Sequence, residues 1–183
     1  MPFPARRAPC LAVAAIACCL AASAALAQSW SHPPPNLVQA TPSIYTSGQP
    51  PAKSLEELRA QGFEAVVYLA PPTVQDAVRD ELRIVGGQGL VFVNIPVVFD
   101  NPTERDFETF VAVIKALGSR KVLVHCQVNL RASSMVFLYR TIVGREKPEV
   151  AWKDVERIWT PHGPWKRLIE EQLRKHGVAF EIL

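Results

Sequence analysis

A cysteine and an arginine separated by four residues, Cys126 and Arg131, are the pair in this sequence best suited to chemistry. They lie in Val122-Leu123-Val124-His125-Cys126-Gln127-Val128-Asn129-Leu130-Arg131-Ala132-Ser133, where an apolar run passes directly into a helical pattern. At a strand-to-helix junction the loop N–H groups point inward, and the following helix dipole adds positive potential. That setting favours a thiolate and raises its nucleophilicity at neutral pH. A planar guanidinium on the first helical turn can hold two oxygens of a tetrahedral oxyanion. Thiolate and forked cation together meet the needs of nucleophilic attack on a phosphate ester. Taken singly, the two residues fit a buried core cysteine and a surface arginine equally well. Their joint placement argues for chemistry.

Other candidates are weaker when read alone. Asp100 sits in Val98-Phe99-Asp100-Asn101-Pro102, a loop after a strand end, where ligand contacts of α/β sheets gather. It could serve as a general acid, although Asp-Asn-Pro is also ordinary turn chemistry. Asp106 is a rival that better fits a helix cap. His125 has no second His, Cys or carboxylate at ligand spacing, so no metal site is expected. His162 reads as a loop histidine, and Trp152, Trp159 and Trp165 as packing residues. Gln49, in Ser47-Gly48-Gln49-Pro50, either approaches the site or belongs to a turn.

The elements that must position these residues begin after an N-terminal signal. Arg6 and Arg7 precede an uncharged stretch from Ala8 to Leu20, and Ala25-Leu26-Ala27 offers small residues for cleavage. The apolar core is short for a membrane span, which needs roughly 20 residues. Residues 1–27 are therefore expected to be a cleaved signal peptide. The protein would then be periplasmic or secreted, with no stable membrane insertion. Cleavage removes two arginines and no acids, lowering the formal charge from +3 to +1, and nothing suggests a nucleic-acid partner. It also removes Cys10, Cys18 and Cys19, leaving Cys126 as the last of the four cysteines, without an internal disulfide partner.

Residues 28–42, rich in Pro and Ser, read as an extended leader with little to bury. From 43 to 183 short apolar runs alternate with helical patterns in one domain. Strands are expected at 44–46, 64–70, 90–96 and 121–125. Helices should be capped by Ser54 with Glu57, Thr73 with Asp76, and Thr103 with Asp106. Another follows Cys126, and two more open at Pro148 and Pro164. This alternation implies an α/β fold, a mostly parallel sheet of about four to five strands flanked by helices.

The segment from 43 to 173 resembles the dual-specificity branch of the protein tyrosine phosphatase superfamily, in particular its small bacterial members. The resemblance rests on Ile44-Tyr45-Thr46-Ser47-Gly48-Gln49-Pro50, on Ile95-Pro96-Val97 leading to Asp100, and on Val124-His125-Cys126 through Ser133. It implies a cysteine-phosphatase fold acting on a phosphorylated protein or small molecule, without cofactor or metal. Cys126 would attack phosphorus, Arg131 would bind phosphoryl oxygens, and Asp100 would protonate the leaving oxygen. Gln127, Val128, Asn129 and Leu130 would cradle the phosphate. The Ser133 hydroxyl would steady the thiolate, and His125 would support the loop.

One departure stands out. The family signature has five residues between cysteine and arginine with a glycine third; here there are four, and the third is Asn129. Asparagine tolerates the left-handed backbone that glycine would supply. The shorter spacing resembles rhodanese sulfurtransferases, whose cysteine carries a persulfide. A sulfurtransferase and a catalytically silent phosphate or phosphoprotein binder therefore stand as alternatives.

Overall fold

The computed structural model describes residues 29–182, so the expected signal peptide lies outside the described residues. In chain order the elements are β1 (Val38–Gln39), β2 (Ile44–Ser47), α1 (Ala52–Glu57), β3 (Ala65–Tyr68), α2 (Glu81–Gly87), β4 (Val91–Asn94), α3 (Glu104–Leu117), β5 (Val122–His125) and α4 (Leu130–Leu138). A π-helical turn (Tyr139–Val143) continues α4, and α5 (Pro148–Glu156) and α6 (Gly163–Lys175) follow. The strands form one five-stranded sheet in the order β1-β2-β5-β3-β4. β2, β5, β3 and β4 run parallel, and β1 pairs antiparallel with β2. This is the mostly parallel α/β sheet that the alternating pattern implied.

β3 and β5 are apolar on both faces because helices cover both. Val67 and Val124 face a core built with Phe107, Phe110 and Ile114 of α3, Met135 and Val136 of α4, Val155 of α5 and Trp165 of α6. Val66 and Leu123 face a second core with Leu55 and Leu58 near α1 and Val85 of α2. These four strand residues are fully buried, each contributing roughly 1.5–3 kcal/mol over an exposed position. No described helix is long and apolar enough to cross a membrane.

Of the three expected helix caps, one forms and two need correction. Thr103 and Asp106 do form the capping box of α3, with Asp106 N–H donating to Thr103 Oγ1 at 3.2 Å and Thr103 N–H to Asp106 Oδ2 at 2.8 Å. Ser54 and Glu57 do not cap α1, which begins earlier, after Pro51. Instead Ser54 Oγ donates to the His32 carbonyl at 2.5 Å, and Glu57 accepts from Ser31 N–H at 2.8 Å. Thr73 and Asp76 open no helix; that segment is a run of turns, and α2 starts only at Glu81.

The leader also buries more than its composition suggests. Pro34 and Ala40 are buried, Trp30 packs near Phe63 at 5.9 Å between ring centroids, and Val38–Gln39 adds a short edge strand.

Candidate active site

All four parallel strands end on the same edge of the sheet, the edge where open α/β sheets bind ligands. β5, between β2 and β3, delivers Cys126 to the middle of that edge. The loop from Cys126 to Arg131 owes its shape to two positions. Asn129 adopts φ 76° and ψ 2°, the left-handed conformation anticipated for it, and stands as the N-cap of α4. Its Nδ2 donates to the Asn36 carbonyl at 2.8 Å and to Thr46 Oγ1 at 3.1 Å, so the side chain also ties the turn to β2 and the leader.

Gly48 is the second position. Its N–H donates to the Pro35 carbonyl and the next N–H, of Gln49, donates to the Gln127 carbonyl, both at 2.8 Å. A Cβ at Gly48 would stand 3.0 Å from the Gln127 carbonyl oxygen and 3.3 Å from Val128 Cα. The Ser-Gly-Gln-Pro stretch therefore needs glycine for close backbone approach to the cysteine loop.

Cys126 is fully buried among the residues of the larger core, including Val124, Ala132 and Met135, and its N–H donates to the Ser47 carbonyl at 3.3 Å. The residues that follow it in the loop help line a cavity of about 260 Å³, formed by Asp76, Phe99, Gln127, Val128, Leu130 and Arg131; Cys126 itself is not exposed to it. Arg131, 5% exposed, donates through Nε to the Val97 carbonyl at 3.0 Å and through a terminal nitrogen to Gln127 Oε1 at 3.3 Å. Its guanidinium carbon lies 5.0 Å from the centre of the Phe99 ring, within cation–π range. Phe99 is in turn backed by Trp159 and Trp165 at 6.0 and 5.9 Å, and Trp165 Nε1 donates to the Phe99 carbonyl at 2.9 Å.

On the other side of the loop lies a buried polar cluster. His125 Nε2 and Glu81 Oε1 are 2.7 Å apart, within ion-pair distance, although the pair lies off the line of an ideal hydrogen bond. Gln49 Nε2 donates to Glu81 Oε2 at 3.0 Å, and the Tyr68 ring stacks on the imidazole at 4.7 Å. Burial pushes the Tyr68 hydroxyl pKa up to about 12, with the negative charges of Glu81 and Asp76 adding to the effect.

The structure thus brings Cys126, Arg131, Gln127, Val128, Asn129 and Leu130 together on one loop, with His125 beneath it. Ser133 is on the first turns of α4, but its hydroxyl donates to the Leu130 carbonyl at 3.2 Å. Asp100 is exposed in the turn after β4 and is not among the residues lining the cavity. His162 is exposed and meets Trp159 edge-on at 5.9 Å. Among the described residues no three His, Cys, Asp or Glu side chains converge as metal ligands. Sequence reasoning missed Glu81, which no local pattern marks, and assigned Asp76 to a helix cap. Asp76 in fact accepts from Gln127 Nε2 at 2.8 Å.

The family described as DSP-PTPase phosphatase fused to NAD+ kinase matches residues 25–163 of this chain. The chain belongs to this family. It is a member of the dual-specificity branch of the protein tyrosine phosphatases, and its enzymatic class is phosphatase. A crystal structure of a DUF442 protein from Shewanella putrefaciens, described as a phosphatase, is similar at TM-score 0.72 and 32% identity, covering 78% of this chain and 93% of that one. The catalytic domain of the PP-IP phosphatase SIW14 from S. cerevisiae, in complex with citrate, shares the fold at TM-score 0.64 and 16% identity, over 80% of this chain and 94% of that one. Tk-PTP in its active form does so at TM-score 0.61 and 21% identity, over 77% and 95%. Among curated proteins none matches the sequence significantly.

Proposed function

We propose that this phosphatase is exported and hydrolyses phosphate monoesters through a covalent cysteinyl-phosphate on Cys126. The observation that carries the reading is that Arg131 lines a cavity together with Gln127, Val128 and Leu130, residues of the same strand-to-helix loop that begins at Cys126. A phosphoryl group entering there competes with the Gln127 carboxamide for the guanidinium, and the 3.3 Å contact it displaces is a long one. Arg131 keeps its Nε bond to Val97 and offers its terminal N–H groups to two phosphoryl oxygens.

The Cys126 thiolate attacks phosphorus, the bond from phosphorus to the ester oxygen breaks, and that oxygen leaves with a proton from a carboxylic acid. Water then attacks the cysteinyl-phosphate, the phosphorus–sulfur bond breaks, and the thiolate and inorganic phosphate are released. Asp76 and Asp100 are two carboxylates on loops that rise from the ends of β3 and β4.

Cys126→Ser should abolish hydrolysis of an aryl phosphate, and rapid quenching of the wild type should trap phosphate on Cys126. If release of thiocyanate from thiosulfate and cyanide appears without phosphatase turnover, the short loop serves sulfur transfer. Binding of phosphate or vanadate with no turnover from pH 5 to 8 would leave a silent binder. Export rests on Arg6, Arg7, the apolar run and Ala25-Leu26-Ala27. It predicts a mature N-terminus near Gln28, readable by mass spectrometry of protein recovered outside the cytoplasm.

A further inference from the structure

A loop that holds a phosphoryl group in one geometry works best when surrounding contacts fix its backbone beforehand. We infer that Pro35 and Asn36, in the leader just before β1, are positioning residues for the Cys126–Arg131 loop and act on it through the side chain of Asn129. This inference rests on the phosphatase reading above.

Two consecutive carbonyls make the contact. Pro35 accepts from Gly48 N–H at 2.8 Å, and Asn36 accepts from Asn129 Nδ2 at 2.8 Å. An extended chain turns successive carbonyls to opposite sides; Asn36, at φ 52°, leaves that conformation. Its own Nδ2 returns the contact by donating to the Val128 carbonyl at 3.3 Å. The adjoining backbone is laced the same way, with Gln49 N–H on the Gln127 carbonyl and an antiparallel bridge between Gly48 and Val128. Leader, Ser-Gly-Gln-Pro stretch and cysteine loop thus form one three-layered clasp.

Asn129 shows what the clasp achieves. An asparagine at an N-cap ordinarily turns its oxygen onto the first amides of its helix. Asn129 is fully buried and makes no such bond to α4. Among the described residues its Oδ1 meets no donor, while Nδ2 is held by Asn36 and by Thr46 Oγ1 at 3.1 Å. Held away in this manner, the side chain leaves the first amides of α4 without an internal cap and open to phosphoryl oxygens.

The test separates positioning from stability. Asn129→Gly keeps the left-handed backbone and deletes the two side-chain bonds; Asn36→Val leaves Asn129 intact but disfavours the turn that presents the carbonyls. Each should lower kcat/KM for phenyl phosphate by about tenfold or more. Vanadate affinity, read from the fluorescence of Trp159 and Trp165 behind Arg131, should fall in parallel. Because both substitutions open one clasp, the double variant should match the worse single within about twofold. Ser54→Ala, which frees the leader from α1 by removing the bond to the His32 carbonyl, should lower the melting temperature yet keep kcat/KM within about twofold. Loss of melting temperature in Asn129→Gly and Asn36→Val with unchanged kcat/KM and vanadate affinity overturns the inference, as do fully multiplicative effects in the double variant. Failure of the phosphatase reading shows separately, as a wild type that binds vanadate without hydrolysing phenyl phosphate; vanadate affinity alone then decides the role of the clasp. A wild type that does neither overturns both.

Discussion

On the α2 side of the cysteine loop, Glu81, His125, Gln49 and Tyr68 form a buried cluster held by charge and hydrogen bonds. On the α6 side, Phe99, Trp159 and Trp165 pack behind Arg131 in tilted and edge-on contacts and contribute mostly apolar area. Directional bonds between buried groups have one good arrangement, and breaking one strands its partners. Apolar contacts are individually weak and less directional, so small shifts cost less. The loop is therefore anchored on the His125 side by directional contacts, while the guanidinium that, in the proposed mechanism, moves from Gln127 to a substrate rests on an apolar surface.

The sharpest way to break this contrast is Glu81→Ala. It removes the ion-pair partner of His125 and the hydrogen-bond acceptor of Gln49, and should cost about 3–5 kcal/mol in urea denaturation. A loss below about 1 kcal/mol, the scale of an ordinary hydrogen bond, would show that the polar side is not an anchor. Arg131→Lys keeps the charge but discards the fork; kcat for an aryl phosphate should fall by about 100-fold. Unchanged turnover would mean that the aromatic side does not present a bidentate cation.

Tyr68 offers a test by pH. Its folded pKa is raised to about 12 from 10.0, chiefly by burial. Above pH 10 the unfolded chain loses this proton first and so binds fewer protons than the folded one. Stability should therefore be intact below pH 10 and fall as pH climbs to 12, by at most about 2.7 kcal/mol. Tyr68→Phe should flatten that part of the decline, and an unaltered slope would remove Tyr68 from it. The smallest effect belongs to Trp165→Phe, which deletes the bond to the Phe99 carbonyl but keeps a ring. A cost of about 1 kcal/mol with little change in kcat is expected. A large drop in kcat would instead mark the aromatic side as rigid.

The parallel core was legible because Val66-Val67 and Val122-Leu123-Val124 are apolar on both faces, a pattern that only a sheet covered on both sides can bury. The strand-to-helix loop that holds Cys126 and Arg131 was legible because its residues are consecutive. β1 was not: two residues paired at a sheet edge leave no periodic signal. Thr73 with Asp76 and Ser54 with Glu57 looked like caps because the same side chains serve either purpose; which backbone group they meet depends on chain distant in sequence. Glu81 is the plainest case. A glutamate in a polar stretch gives no hint that folding will press it against an imidazole 44 positions away, and only the packing of α2 onto the sheet face that carries Leu123 makes it so.

β5 is inserted between two strands that precede it in the chain, and β2 and β3 meet each other only through it. A growing polypeptide that has not yet reached His125 holds two unsatisfied sheet edges and no way to close them. Completion of the sheet and arrival of Cys126 are thus a single event. Pairing across such long separations is slow, but on the proposed mechanism truncated products are inactive, because the strand they lack is also the one that makes them whole.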